Sequence, residues 1–78
     1  MMSSPQESSP EQVALRANGE EITVSADATI ESFLRGRGIE PRCVAVEING
    51  EAVLRSEWPA RKLREGDRVE VIRVVAGG

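Results

Sequence analysis

Val69-Glu70-Val71-Ile72-Arg73-Val74-Val75-Ala76-Gly77-Gly78 stands at the end of the sequence, and its first seven residues read as a β-strand. β-Branched side chains suit a pleated, half-buried surface, and successive side chains point to opposite faces. With Val69 and Val71 directed into a core, Glu70, Ile72 and Val74 face the other way. Ala76-Gly77-Gly78 follows with no further element after it. Glycine has no Cβ, so a terminal Gly-Gly fits a narrow active site where a side chain would clash. On these residues alone two readings stand open: a frayed end, or a terminus that carries the chemistry.

Outward from this strand, Cys43-Val44-Ala45-Val46-Glu47-Ile48 forms another. It places Val44, Val46 and Ile48 on one face and Cys43 and Ala45 on the other. Asn49-Gly50 turns tightly into a short strand at Ala52-Val53-Leu54. Nearer the start, Val13, Leu15 and Ala17 mark a strand over 12–17. Asn18-Gly19 is a strong hairpin signal, because both central positions of a type I′ turn need positive φ. Glu21-Ile22-Thr23-Val24-Ser25 returns with Ile22 and Val24 inward. A helix is expected from Thr29, whose hydroxyl can cap a free N–H, with Asp27 as a competing cap and Glu31 favourable in the first turn. Ile30, Phe33 and Leu34 fall at i, i+3 and i+4 as an apolar stripe, and Gly36 and Gly38 limit the helix to about two turns. Segment 55–65 has no clean period. Trp58 and Leu63 are expected to anchor it, and Pro59 disfavours a helical conformation at Trp58. Glu65-Gly66-Asp67 is the turn before the last strand.

The order is strand, strand, helix, strand, short strand, strand, which predicts an α+β fold with a mixed sheet and a helix across one face. The favoured arrangement sets the first and last strands side by side and parallel at the centre of a four- to five-stranded sheet. That is the β-grasp, or ubiquitin-like, topology. Residues 1–11 are Pro/Ser-rich and polar, lack the pattern of a secretory signal, and are expected to form a disordered tail. Residues 12–78 are the expected domain, with a flexible Gly-Gly end.

Composition excludes several functions. The net charge is −3 with both signs interleaved, and Phe33 and Trp58 are the only aromatics, which argues against a nucleic-acid surface. No apolar run approaches the roughly 20 residues of a membrane span. One cysteine excludes an internal disulfide, so together these point to the cytoplasm. Cys43 lacks a histidine to activate it and reads as an inert strand residue rather than a nucleophile. Arg55, Arg61, Lys62 and Arg64 read as a solvated face. No metal-ligand cluster and no paired carboxylates for acid–base catalysis are present.

Residues 12–78 resemble the ThiS family of sulfur carriers from thiamin biosynthesis. The resemblance rests on Ala45-Val46-Glu47-Ile48-Asn49-Gly50, on Glu65-Gly66-Asp67-Arg68 before the apolar strand, and on Ala76-Gly77-Gly78, with the Asn18-Gly19 hairpin and the Thr29-Ile30-Glu31 helix start also fitting. The molybdopterin carrier MoaD has a similar fold and ending, but typically a longer region between its second and third strands. Here only residues 26–43 fill that gap.

At neutral pH an α-carboxyl group is ionised, and a carboxylate is a poor electrophile until an oxygen becomes a leaving group. This chain holds no group to do that, so activation must come from a partner. The resemblance implies a ThiF-like adenylyltransferase that uses ATP to form an acyl-adenylate at Gly78. Sulfur from a donor (a cysteine desulfurase or equivalent) then replaces AMP to leave a thiocarboxylate, and a ThiG-like thiazole synthase accepts the sulfur. The chain would be a co-substrate with no bound cofactor, not an enzyme. Residues 75–78 extended reach roughly 13 Å, enough for Ala76 and Gly77 to thread Gly78 into a recessed site. Ile72, Val74 and Ala45 are the candidate docking face, unless segment 55–65 covers it or a bulge shifts the parity. Other sulfur acceptors, a ubiquitin-like modifier joined to amines through Gly78, and a binding module with incidental glycines stand as alternatives.

Overall fold

A computed structural model describes residues 11–74. The expected tail, apart from Glu11, and the expected threading residues Ala76, Gly77 and Gly78 lie outside the described residues, as does Val75. Five strands form one sheet in the order β2-β1-β5-β3-β4: β1 Gln12–Ala17, β2 Glu20–Ser25, β3 Val44–Ile48, β4 Glu51–Ala52 and β5 Arg68–Arg73. β1 and β5 are parallel and central, as the sequence predicts, and every other pairing is antiparallel.

The two Asn-Gly turns do more than reverse the chain. Asn18 and Asn49 both adopt positive φ, 51° and 55°, a conformation that asparagine tolerates better than most residues. Both then reach β5. Asn18 Oδ1 accepts the Val71 N–H at 2.8 Å and its Nδ2 donates to the Val71 carbonyl at 3.4 Å. Its side chain thus continues the β1–β5 ladder one step past the point where β1 turns away. Asn49 Oδ1 accepts the Arg68 N–H at 2.9 Å, and its Nδ2 donates to Asp67 Oδ1 at 3.0 Å. Asp67 Oδ2 also accepts the Arg64 N–H at 2.9 Å, so the nearly buried carboxylate has donors for both oxygens. The last strand is therefore pinned at its entry and at its middle by the turns of both hairpins.

Helix α1, Ile30–Gly36, is held by Thr29 and Ser32, each hydroxyl accepting the other's backbone N–H at 3.1 and 2.9 Å. This reciprocal box satisfies two of the N–H groups a helix start leaves free, and Thr29 is the cap rather than Asp27. The helix ends in a Schellman turn: Ile39 N–H reaches the Leu34 carbonyl, Gly38 N–H reaches that of Arg35, and Gly38 takes the positive φ of 73°. Ile30, Phe33 and Leu34 are buried against Leu15, Ala17, Val44, Val46, Ile48 and Val69 on the inner face of the sheet.

Segment 55–65 closes the same core through Trp58 and Leu63, both buried, with the Trp58 indole N–H donating to the Val53 carbonyl at 3.1 Å. The expected effect of Pro59 does not hold: Trp58 sits in the right-handed helical region at φ −58°, ψ −37°. Its N–H completes the 3₁₀ turn Arg55–Glu57 by bonding the Arg55 carbonyl. Burying the ring and bonding both the indole and the backbone N–H of Trp58 outweigh the local proline preference. Several boundaries also move: β2 starts at Glu20 rather than Glu21, and β5 spans Arg68–Arg73 where the sequence predicts 69–75, with Val75 outside the described residues. Cys43 belongs to a 3₁₀ turn, Pro41–Cys43, that precedes β3, and the short strand is Glu51–Ala52 rather than 52–54. No described helix is long and apolar enough to cross a membrane.

Candidate functional site

The helix and segment 55–65 both pack on one face of the sheet. Backbone bonds from Ile30 to Arg61, from Glu31 to Trp58 and from Leu63 to Ala28 tie the two together. Among the described residues that leaves the outer face of β5 and β3 open, and 55–65 does not cover it. Ala45 faces Ile72 in the β3–β5 register, and Val74 continues alongside Cys43, whose carbonyl accepts its N–H at 2.9 Å. Ile72 is 42% exposed and Val74 38%. The parity read from the sequence places these side chains correctly, with no bulge.

The sequence reading missed Leu54. Glu47 faces Ala52 across the β3–β4 turn, and Val53 N–H bonds the Val46 carbonyl at 3.0 Å. The same register sets Leu54 opposite Ala45, on the outer face, 68% exposed. The signal was available, because a tight Asn49-Gly50 turn fixes the hairpin register. By this register Ile72 on β5, Ala45 on β3 and Leu54, two residues past β4, fall in one apolar row. The large exposed apolar residues among those described are Leu54, Ile72 and Val74, and the register places all three at the C-terminal end of β5. Surface apolar groups scattered singly need no explanation, whereas residues grouped on one face make that face the candidate interaction surface.

One step along the strands, Glu47 and Glu70 face each other in the same register, so the outer face passes from an apolar row to an acidic one. Cys43 is free and half-buried, with no histidine in the chain to activate it. Among the described residues no group of three potential ligands could hold a metal ion.

A five-stranded mixed sheet with parallel β1 and β5 at its centre, one helix on its inner face and an apolar row on its outer face among the described residues defines a small β-grasp, ubiquitin-like protein. The chain belongs to the ThiS family, whose family model matches residues 10–78. It is 46% identical to the sulfur carrier protein ThiS of Thermus thermophilus over 50 residues, 64% of this chain and 78% of that one. The solved structure of a thiamine biosynthesis protein (ThiS) from Geobacter metallireducens matches with a TM-score of 0.74 at 29% identity, covering 85% of this chain and 100% of that one. A thiazole synthase of Paramagnetospirillum magneticum is 39% identical over 61 residues, 78% of this chain but 19% of the relative. The chain spans about a fifth of the length of the thiazole synthases it matches.

Proposed function

We propose that this chain is a sulfur carrier for thiamin biosynthesis, with the Gly78 carboxylate as the group that is loaded and unloaded. The carrying observation is that the last strand, β5, lies centrally in the sheet beside the exposed apolar residues Leu54, Ala45, Ile72 and Val74, and that the sequence ends in Gly77-Gly78 five residues after it. Affinity and chemistry are then divided. The sheet face supplies apolar burial for docking, and the side-chain-free end supplies access to a narrow site.

The chemistry follows from the carboxylate. Its oxygen attacks the α-phosphorus of ATP on a ThiF-like adenylyltransferase and expels pyrophosphate. The terminal sulfur of a persulfide, raised by a cysteine desulfurase or equivalent donor, attacks the acyl carbon and expels AMP. A thiol then takes the second sulfur into a disulfide, leaving the thiocarboxylate. A ThiG-like thiazole synthase consumes that sulfur and restores the carboxylate, so the chain is a recyclable co-substrate and itself holds no cofactor. The thiazole synthase partner is supported by relatives of that name in which a segment like this chain makes up about a fifth of the length.

Incubation with ATP, a sulfur donor and the cognate adenylating enzyme, followed by intact-mass measurement, tests this function. The expected product is heavier by the exchange of one oxygen for sulfur, mapped to Gly78. An unmodified mass after incubation with an enzyme that is demonstrably active would refute it. Gly77→Val should abolish loading while leaving the circular dichroism spectrum and urea midpoint unchanged, because only the threading end gains a branched side chain.

A further inference from the structure

The carrier chemistry leaves one element of the outer face unused. Glu47 and Glu70 occupy facing positions on β3 and β5, both half-buried and both on the outer side. Like charges directly opposite on one face of a sheet destabilise it. Among the described ion pairs neither carboxylate has a cationic partner. The outward arginines of the next row, Arg16 and Arg68, are not within ion-pair distance of either carboxylate. Arg16 holds Glu21 at 3.2 Å. Arg68 lies against the β3–β4 turn, with a guanidinium nitrogen 4.0 Å from where a Cβ on Gly50 would stand.

This pair, without an ion-pair partner among the described residues, sits between the row of Ala45 and Ile72 and the row of Arg16 and Arg68. The face thus presents an apolar row and a negative row side by side, and what complements it is a surface with an apolar depression bordered by Lys or Arg. A second copy of this chain is a poor match. The chain is acidic overall, and pairing two such faces would bring four of these carboxylates within a Debye length, about 8–10 Å at moderate salt. We propose that Glu47 and Glu70 are the charge-reading element of the docking face, and that its occupant is a basic surface on the adenylating enzyme. This rests on the carrier function above and adds to it which residues select the partner. In the free protein the pair costs stability, and cations on the partner relieve that cost on docking, so its two effects carry opposite signs.

The test uses the full chain carrying E47Q and E70Q together, with the cognate ThiF-like enzyme as the probe. Three quantities are measured: the urea midpoint, the association rate at low and high salt, and pyrophosphate release at saturating enzyme. The midpoint should rise. Association should slow about tenfold at low salt, with the gap to wild type closing at high salt, and the rate of adenylation once bound should be unchanged. A wild-type chain that is adenylated alongside a variant with the same association rate overturns this inference alone. So does a slowing that is independent of salt, or a fall in the midpoint, which would show that the carboxylates are satisfied within the fold. A wild-type chain that is neither bound nor adenylated overturns the carrier function with it.

Discussion

β3 and β5 each carry two surfaces of opposite fate. On the inner side Val44, Val46, Ile48 and Val69 are buried under the helix. On the outer side of the same strands Ala45, Ile72 and Val74 meet solvent. Valine and isoleucine appear on both sides, so residue type does not separate them. Register does. A one-residue slip of β5 would exchange the two sets, burying Glu70 and exposing Val69. The molecule accordingly anchors β5 with asparagine side chains at two separate points along its length. In so small a domain, where one core leaves only a few kcal/mol of net stability, the inner set decides whether the sheet exists. The outer set is free to serve a partner.

The largest effect should come from the inner side. Leu34 is fully buried on the helix, and Leu34→Ala should cost about 2–5 kcal/mol through lost burial and the cavity left behind. That is comparable with the whole stability of such a domain. A urea titration followed by circular dichroism should find the variant largely unfolded or with a sharply lowered midpoint. A change below about 1 kcal/mol would mean that the core tolerates the hole, and the contrast between the faces would weaken.

Next in size is the seam that fixes the register. Asn18→Ala removes two side-chain bonds to Val71 and places an alanine at φ 51°. The expected cost is about 2–3 kcal/mol from the left-handed backbone and the lost bonds together. Asn18→Gly accepts the backbone and loses only the bonds, so it should cost about 1 kcal/mol less than alanine. Equal midpoints for the two variants would show that the turn conformation carries no strain.

Much of this was legible before the structure. Alternation in 12–17 and in 69–73 gave the first and last strands and their faces, because a period of two is a direct consequence of the pleat. The Asn-Gly dipeptides gave the turns, because few residues accept two successive positive φ values. What escaped was non-local. Nothing in the local pattern says that the amides of Asn18 and Asn49 bond a strand far along the chain, or that the indole N–H of Trp58 finds the Val53 carbonyl and holds its backbone helical before a proline. Asp67 reads as an ordinary turn residue until Asn49 and Arg64 are brought to its two oxygens. At the site, Ile72, Val74 and Ala45 followed from parity. Leu54 required carrying the hairpin register two residues past the end of the paired strand, a step open to the sequence but easily missed where the strand is so short.

The smallest change in stability should come from the outer side, and it tests the contrast most sharply. Ile72→Thr keeps the β-branched shape that the strand favours and removes apolar surface that is already 42% exposed. Its urea midpoint should move by no more than about 0.5 kcal/mol. Val71 next to it packs against the core, and Val71→Thr should cost about 1–3 kcal/mol, because the same hydroxyl is then turned toward apolar neighbours. Affinity should reverse this order. Ile72→Thr should weaken binding to the adenylating enzyme about fivefold, the equivalent of roughly 1 kcal/mol of lost apolar burial, whereas Val71→Thr should bind normally wherever it is folded. If Ile72→Thr destabilised the fold as much as Val71→Thr, the outer row would belong to the core, and the division between holding the sheet and docking a partner would be lost.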